Sequence, residues 1–341
     1  MSSPVQPRYT EDTFMTAEKM AQGFRLGWDD FQGGFSIGNS NAKWFYFSAG
    51  SCVGDDGVAT TSANGLRVVA SGTNPQTGEP AFKRTLSQET DNGGLPGSLD
   101  HVKWLVYMDH LSTQGYPGFD AIPGQTLVCE TWMSCRTFGT AAHPFGAAIQ
   151  DPNDDFRLAC CAMNTIDLET GLVFNFFLTN ARIYALYERL PFVRDTLGNY
   201  AAFTFSIPVT ERSPTDTHHL KVTYNKTTGT VRWFVDEVEV YRVDKIGFLT
   251  ERRYLTLDHG GVETTVSPNQ LACGMGMFTL LDGCRSNLGL VRLSSLLEYR
   301  TPDVGAPTGV AFLDDHSLQS HRLFGQGAQL EIQKYAVSSL P

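Results

Sequence analysis

Along most of this chain apolar and polar residues alternate with a period of two, in short runs rich in Val, Ile, Phe, Tyr and Thr. That period belongs to a strand with one buried face. The runs cover residues 65–71, 103–108, 125–136, 163–169, 172–179, 182–188, 202–207, 219–225, 230–241, 253–257, 275–281 and 290–299. Gly, Pro, Asn and Asp fill the gaps, and no long amphipathic helix interrupts the series. Many strands without intervening helices predict an all-β fold, an antiparallel β-sandwich of jelly-roll type. Residues 219–243 predict a hairpin pair, with turns at 225–229 and near Asp236–Glu237. Val231, Trp233 and Val235 share its buried face. Residues 1–23 read as a tail, 24–300 as the sandwich, and 301–341 as a C-terminal extension packed on the same domain.

Composition narrows the function classes. Hydrophobic residues make up 41% of the 341 and charged residues 18%, so disorder is excluded. The formal net charge is −10 and the basic residues are scattered. A nucleic acid or an anionic membrane would need clustered cations, so neither is expected as a partner. No apolar run approaches the ~18 residues of a membrane span. The polar opening residues carry no export signal, which predicts an intracellular, cytoplasmic protein. The seven cysteines form no regular framework and read as buried free thiols. No metal site, nucleotide-binding loop or cofactor motif is recognisable, so no cofactor is expected.

The order of motifs resembles the laminarinase/lichenase-type glycoside hydrolases of the concanavalin A-like superfamily. His219-Leu-Lys-Val-Thr-Tyr224, followed by Val231-Arg-Trp-Phe-Val-Asp236-Glu-Val-Glu-Val240, is similar to that family's late strands. The segments 28–36, 127–134, 164–170 and 291–300 are similar, in order, to its opening Asp-Asp-Phe segment, its Phe-Glu-Ala-Arg strand, its catalytic strand and its closing strand. The resemblance implies two antiparallel sheets, the inner one curved, with a concave face forming a cleft. By register, Thr165 stands where the family has its nucleophilic glutamate, while Asp167 and Glu169 match its middle aspartate and acid/base glutamate. Retaining hydrolysis needs two suitably placed carboxyl groups, and a threonine does not supply one.

Read from the residues alone, Asp167 and Glu169 are two apart on a strand and share a face. Two carboxylates ~6–7 Å apart at Cα resist ionising together, which gives a proton donor beside an anionic partner. Thr165 is expected beside them, facing the cleft, with Ile166 and Leu168 in the core. Asn175 and Phe177 would face the cleft from the next strand, opposite Phe174, Phe176 and Leu178. Glu130 and Trp132 share a face, and residues 182–192 add Tyr184, Tyr187, Glu188 and Arg189. Trp44 lies in a further aromatic cluster. Aromatics with a few polar groups suit an apolar small molecule or a sugar. The first expectation is therefore a cofactor-independent isomerase, cyclase or lyase using Asp167 and Glu169 on a largely apolar metabolite. A divergent glycoside hydrolase or polysaccharide lyase, and a non-catalytic carbohydrate-binding module, are the alternatives. His218–His219 read as a strand-end polar pair, residues 151–155 as a solvated loop rather than a calcium site, and 258–261 as a turn.

Overall fold

The computed structural model describes residues 23–39, 42–49, 52–84, 101–281, 283, 289–290, 300–302, 307–309 and 322–341. The tail at 1–22 and most of the expected strand at 291–300 lie outside the described residues. The first strands are β1 (Phe24–Asp29), β2 (Trp44–Tyr46), β3 (Gly57–Ser62), β4 (Gly65–Ala70), β5 (Val102–Met108) and β6 (Phe119–Asp120). Then come β7 (Thr126–Phe138), β8 (Ala159–Asp167), β9 (Leu172–Leu178), β10 (Arg182–Arg189) and β11 (Phe203–Glu211). The last are β12 (His218–Asn225), β13 (Thr230–Val235), β14 (Val238–Val243), β15 (Leu255–Asp258), β16 (Gln270–Thr279) and β17 (Gly327–Leu340).

These strands form two antiparallel sheets. One has eight strands in the order β14-β13-β12-β7-β17-β4-β3, with β1 also paired to β17. The other has nine, in the order β15-β11-β10-β9-β8-β16-β5-β2, with β6 also paired to β16. The sandwich expected from the strand pattern is therefore the observed fold. The segment 301–341, expected as a C-terminal extension packed on the same domain, supplies β17, which lies between β7 and the β4/β1 edge.

Between the sheets lies one apolar core. The nine-stranded sheet contributes Trp104, Val106, Cys161, Met163, Phe174, Phe176, Tyr187, Phe203 and Met275, and the eight-stranded sheet Met133, Val222, Tyr224, Trp233, Leu330 and Tyr335. Trp44 and Tyr187 belong to this core rather than to a cleft wall: the Trp44 indole donates to Asp29, and the Tyr187 hydroxyl accepts the Gly247 amide. A disulfide joins the sheets at Cys129 on β7 and Cys273 on β16, so these two cysteines are not free thiols. Cys135, Cys160 and Cys161 are free and buried.

The two outer faces differ. The eight-stranded sheet turns half-exposed and exposed residues outward, such as Arg67, Arg232 and Lys334. The nine-stranded sheet is buried on its outer face too, with a second apolar cluster that includes Leu105, Tyr107, Ala162, Ile166, Val173, Phe177, Tyr184, Leu186 and Phe278. A sheet buried on both sides carries little polar alternation, as in the runs Ala159–Asp167 and Leu172–Leu178.

Candidate functional site

The outer face of the nine-stranded sheet is ordered in transverse rows by the strand register. One row begins at Tyr107 on β5, which pairs with Gly274 on β16, which pairs with Asn164 on β8. Met163 pairs with Phe176 and Ile166 with Val173, so Asn164 lies beside Asn175 on β9. Asn175 pairs with Leu186 on β10, and Leu186 with Ser206 on β11. The neighbouring row runs Ala272, Ile166, Val173, Glu188, Thr204. On the other side run Leu105, Gly276, Ala162, Phe177 and Tyr184.

Polar groups are thus confined to the middle row and to Glu188 and Thr204 next to it, with apolar residues around them. Gly274 makes the row possible. A Cβ there would lie 2.6 Å from the Tyr107 ring and 2.2 Å from the Val106 carbonyl, so the missing side chain is the space Tyr107 occupies. Phe45 and Phe47 pack beside the same ring. Tyr184 is fixed at the far end by the Asp154 carboxylate and by Phe156 edge-on.

Two atoms of the middle row lack partners among the described residues. Asn164 is 1% exposed and its Oδ1 accepts no hydrogen bond; Ser206 is 6% exposed and its Oγ is likewise unpartnered. Asn175 is satisfied, its Oδ1 accepting the Thr165 amide at 2.6 Å. Glu188 accepts from the Thr204 hydroxyl. Burial pushes the Tyr107 hydroxyl well up, and the Glu188 charge pushes it further, although four strand spacings separate β5 from β10. The phenol therefore stays protonated at neutral pH.

The residues expected to form one cleft are distributed over three places. Asn175, Phe177 and Tyr184 lie on this outer face. Thr165 and Asp167 lie on the opposite side of β8, in step with Cys161 and Met163, while Ile166 faces outward. The expected facing of residues 165–168 is thus reversed, because the outer face is itself apolar. Asp167 and Glu169 do come together, through Gln270: its Nε2 donates to Asp167 Oδ1 at 2.6 Å and to Glu169 Oε2 at 3.1 Å. Asp167 also accepts the Thr170 hydroxyl at 2.5 Å and the Glu169 amide at 3.2 Å, and Glu169 accepts Asn269 at 2.9 Å. Burial raises the Asp167 carboxyl. Both carboxylates are engaged in closing the β8–β9 turn onto the start of β16.

Glu130 and Trp132 lie on the outer face of the other sheet. Trp132 is held between the His219 ring, stacked at 3.9 Å and 4°, and the Lys334 ammonium 3.9 Å from its centroid. Glu130 takes His219 Nε2 at 2.8 Å and Glu237 takes Nδ1 at 2.7 Å. Both indole faces are occupied, so Trp132 offers no free surface for stacking a ligand. In the loop 151–155, Asp154 pairs with Arg182 and Asp155 with Arg157, and no metal cluster occurs among the described residues.

Sequence reasoning passes over Tyr107, Asn164 and Ser206. The signal was the pairing itself: with residues 159–167 and 172–178 as a hairpin, Asn164 falls opposite Asn175.

A family model described as "Family of unknown function (DUF6081)" matches residues 28–341. The "Uncharacterized protein L829" of Acanthamoeba polyphaga mimivirus is 29% identical over 313 residues, covering 74% of this chain and 65% of that protein's length. Among solved structures, the chain is similar to alginate lyase A1-II′ of polysaccharide lyase family-7, at 9% identity and TM-score 0.38, covering 82% of each chain. It is similar to the alginate lyase from Corynebacterium sp. at 11% identity and TM-score 0.38, covering 82% of this chain and 80% of that one. The Crh5 transglycosylase matches at 8% identity and TM-score 0.36, covering 93% and 83%.

Proposed function

From a chain that belongs to the family of unknown function DUF6081, we propose a carbohydrate-active protein that holds an oligosaccharide on the outer face of its nine-stranded sheet. The observation that carries this is the pair of orphaned polar atoms in one row, Asn164 Oδ1 and Ser206 Oγ. A buried polar group without a partner costs roughly 1–3 kcal/mol, and a ligand hydroxyl at each would remove that cost. Aromatic rings and amides around a carboxylate match the recognition of a hydroxyl-rich ring.

For chemistry, Glu188 is the proton acceptor and the Tyr107 phenol, held protonated by burial and by Glu188, the proton donor. One carboxylate and one phenol on the same sheet face support proton transfer, as in elimination, better than double displacement, which needs two carboxyl groups. The apolar rows would equally wall the apolar metabolite expected from composition; the orphaned row favours a hydroxylated ligand. The inter-sheet disulfide fits folding in an oxidising compartment better than the intracellular setting expected from the opening residues.

The test is titration calorimetry against a panel of neutral and uronic-acid oligosaccharides, with product ends assayed in parallel. Asn164→Ala should weaken binding about tenfold, the loss of ~1.4 kcal/mol. Glu188→Gln and Tyr107→Phe should bind normally and lose turnover. Wild-type binding without turnover would leave a binding module, and absence of saturable binding across the panel would overturn the reading.

A further inference from the structure

Among the described residues, the Cys129–Cys273 disulfide is one of two places where cysteines of opposite sheets meet. On β7, Cys129 and Cys135 both point into the core and are almost fully buried. Cys129 is bonded across the sandwich to Cys273. Cys135, 1% exposed, sends its thiol across to the nine-stranded sheet, where it donates to the Leu178 carbonyl at 3.2 Å. Leu178 is the register partner of Cys161. Cys161, 0% exposed, reaches the other way and donates to the Gln329 carbonyl of β17 at 3.3 Å. Gln329 pairs with Arg136, the residue after Cys135. Each thiol therefore ends beside the strand that carries the other, and the two side chains are hydrogen-bond neighbours. Cys160, one residue away, faces the outer cluster instead.

We propose that Cys135 and Cys161 close a second disulfide across the sandwich when the chain folds under oxidising conditions. The electrons go to an external low-molecular-weight disulfide such as oxidised glutathione. The Cys135 thiolate attacks one of its sulfurs and expels one glutathione thiolate. The Cys161 thiolate then attacks the Cys135 sulfur of the mixed disulfide and expels the second. The two protein protons end on the two leaving thiolates, so the protein loses two electrons and one oxidised glutathione becomes two reduced ones. Burial raises the Cys161 thiol, which disfavours its thiolate in the closed fold. Closure therefore belongs to the folding chain, before the sandwich seals.

The experiment refolds the full chain in a glutathione redox buffer, blocks remaining thiols with iodoacetamide, and maps linked peptides by mass spectrometry. Two links are expected, Cys129–Cys273 and Cys135–Cys161, with Cys160 alkylated once the chain is unfolded. Cys160→Ser should keep both links, and Cys161→Ser should lose only the second. Finding Cys135 and Cys161 both alkylated in chains whose first link is closed would overturn the proposal, as would a Cys135–Cys160 link. The wild-type and Cys160→Ser maps decide the matter even if Cys161→Ser does not fold.

Discussion

Asp167 is fully buried, and its carboxylate accepts from Thr170, Gln270 and the Glu169 amide. Replacing it by asparagine keeps the shape and the Oδ1 acceptor, but sets an NH2 where Oδ2 accepts the Thr170 hydroxyl. Asp167→Asn is expected to lower stability by about 1–3 kcal/mol, the cost of unsatisfied buried groups. Its urea midpoint should fall at unchanged slope while oligosaccharide binding persists. Lost turnover at full stability would instead restore the acid/base role expected from the sequence. At this scale the nearness of Asp167 and Glu169 was legible from their spacing of two, although Glu169 lies in the turn after β8 and Gln270 joins the pair. The direction they face was not. Thr165 is 0% exposed and Ile166 6%, so both sides of β8 are dry and a polar residue no longer marks the solvent side. A buried threonine or aspartate needs only hydrogen-bond partners, and Gln270, a hundred residues on, leaves no local trace.

Strands and their turns were largely readable, because each needs only its own alternation. Phe174, Phe176 and Leu178 face the core and Asn175 and Phe177 the outer side, as the period of two requires. The turn at Asp236–Glu237 is present, with both residues at positive φ (50° and 67°), and Asp236 accepts the His219 amide at 2.8 Å. What alternation does not encode is which sheet a strand joins. Glu130 and Trp132 do share a face, but β7 pairs with β12 and β17, placing them across the molecule from Asn175. Strand β17 is flanked by partners some two to three hundred residues earlier, so its central position had no neighbouring motif to announce it. The most sensitive element is β16. In Gly274→Ala the added Cβ would meet the Val106 carbonyl at 2.2 Å, and backbone in a central strand cannot move aside. The expected outcome is a loss of more than about 2 kcal/mol, of the size that overpacking produces. A folded remainder should bind oligosaccharide more weakly, because Tyr107 is displaced. A thermal midpoint equal to wild type would show that the ring does not depend on that space.

For the whole molecule, burial on both sides of one sheet makes stability depend on pH. His259 is 5% exposed, and burial, aided by Arg194, holds it down to about 3. Burial lowers His110 as well, against the opposing Gly118 carbonyl and Asp120. An unfolded histidine titrates near ~6.5. Below that value the unfolded chain binds protons that the native fold refuses, so this stabilisation is complete above ~6.5 and is lost as pH falls toward 3. Each such proton costs at most about 1.4 kcal/mol per pH unit. Asp109, Asp167 and Asp258 run in the opposite direction, since burial raises all three. Their contribution is full below the unfolded carboxyl value of ~3.9 and is lost as pH rises through their folded values, so they return part of the loss as pH falls through those values. Between pH 7.5 and 5.5 the two buried histidines pull the urea midpoint down. His259→Gln, which cannot take up the proton in either state, should shrink that fall by up to one proton's worth. A variant with the wild-type difference between the two pH values would assign the acid sensitivity elsewhere. At neutral pH the histidine contribution is complete and the Tyr107 phenol is protonated, so fold and proposed chemistry share one working range.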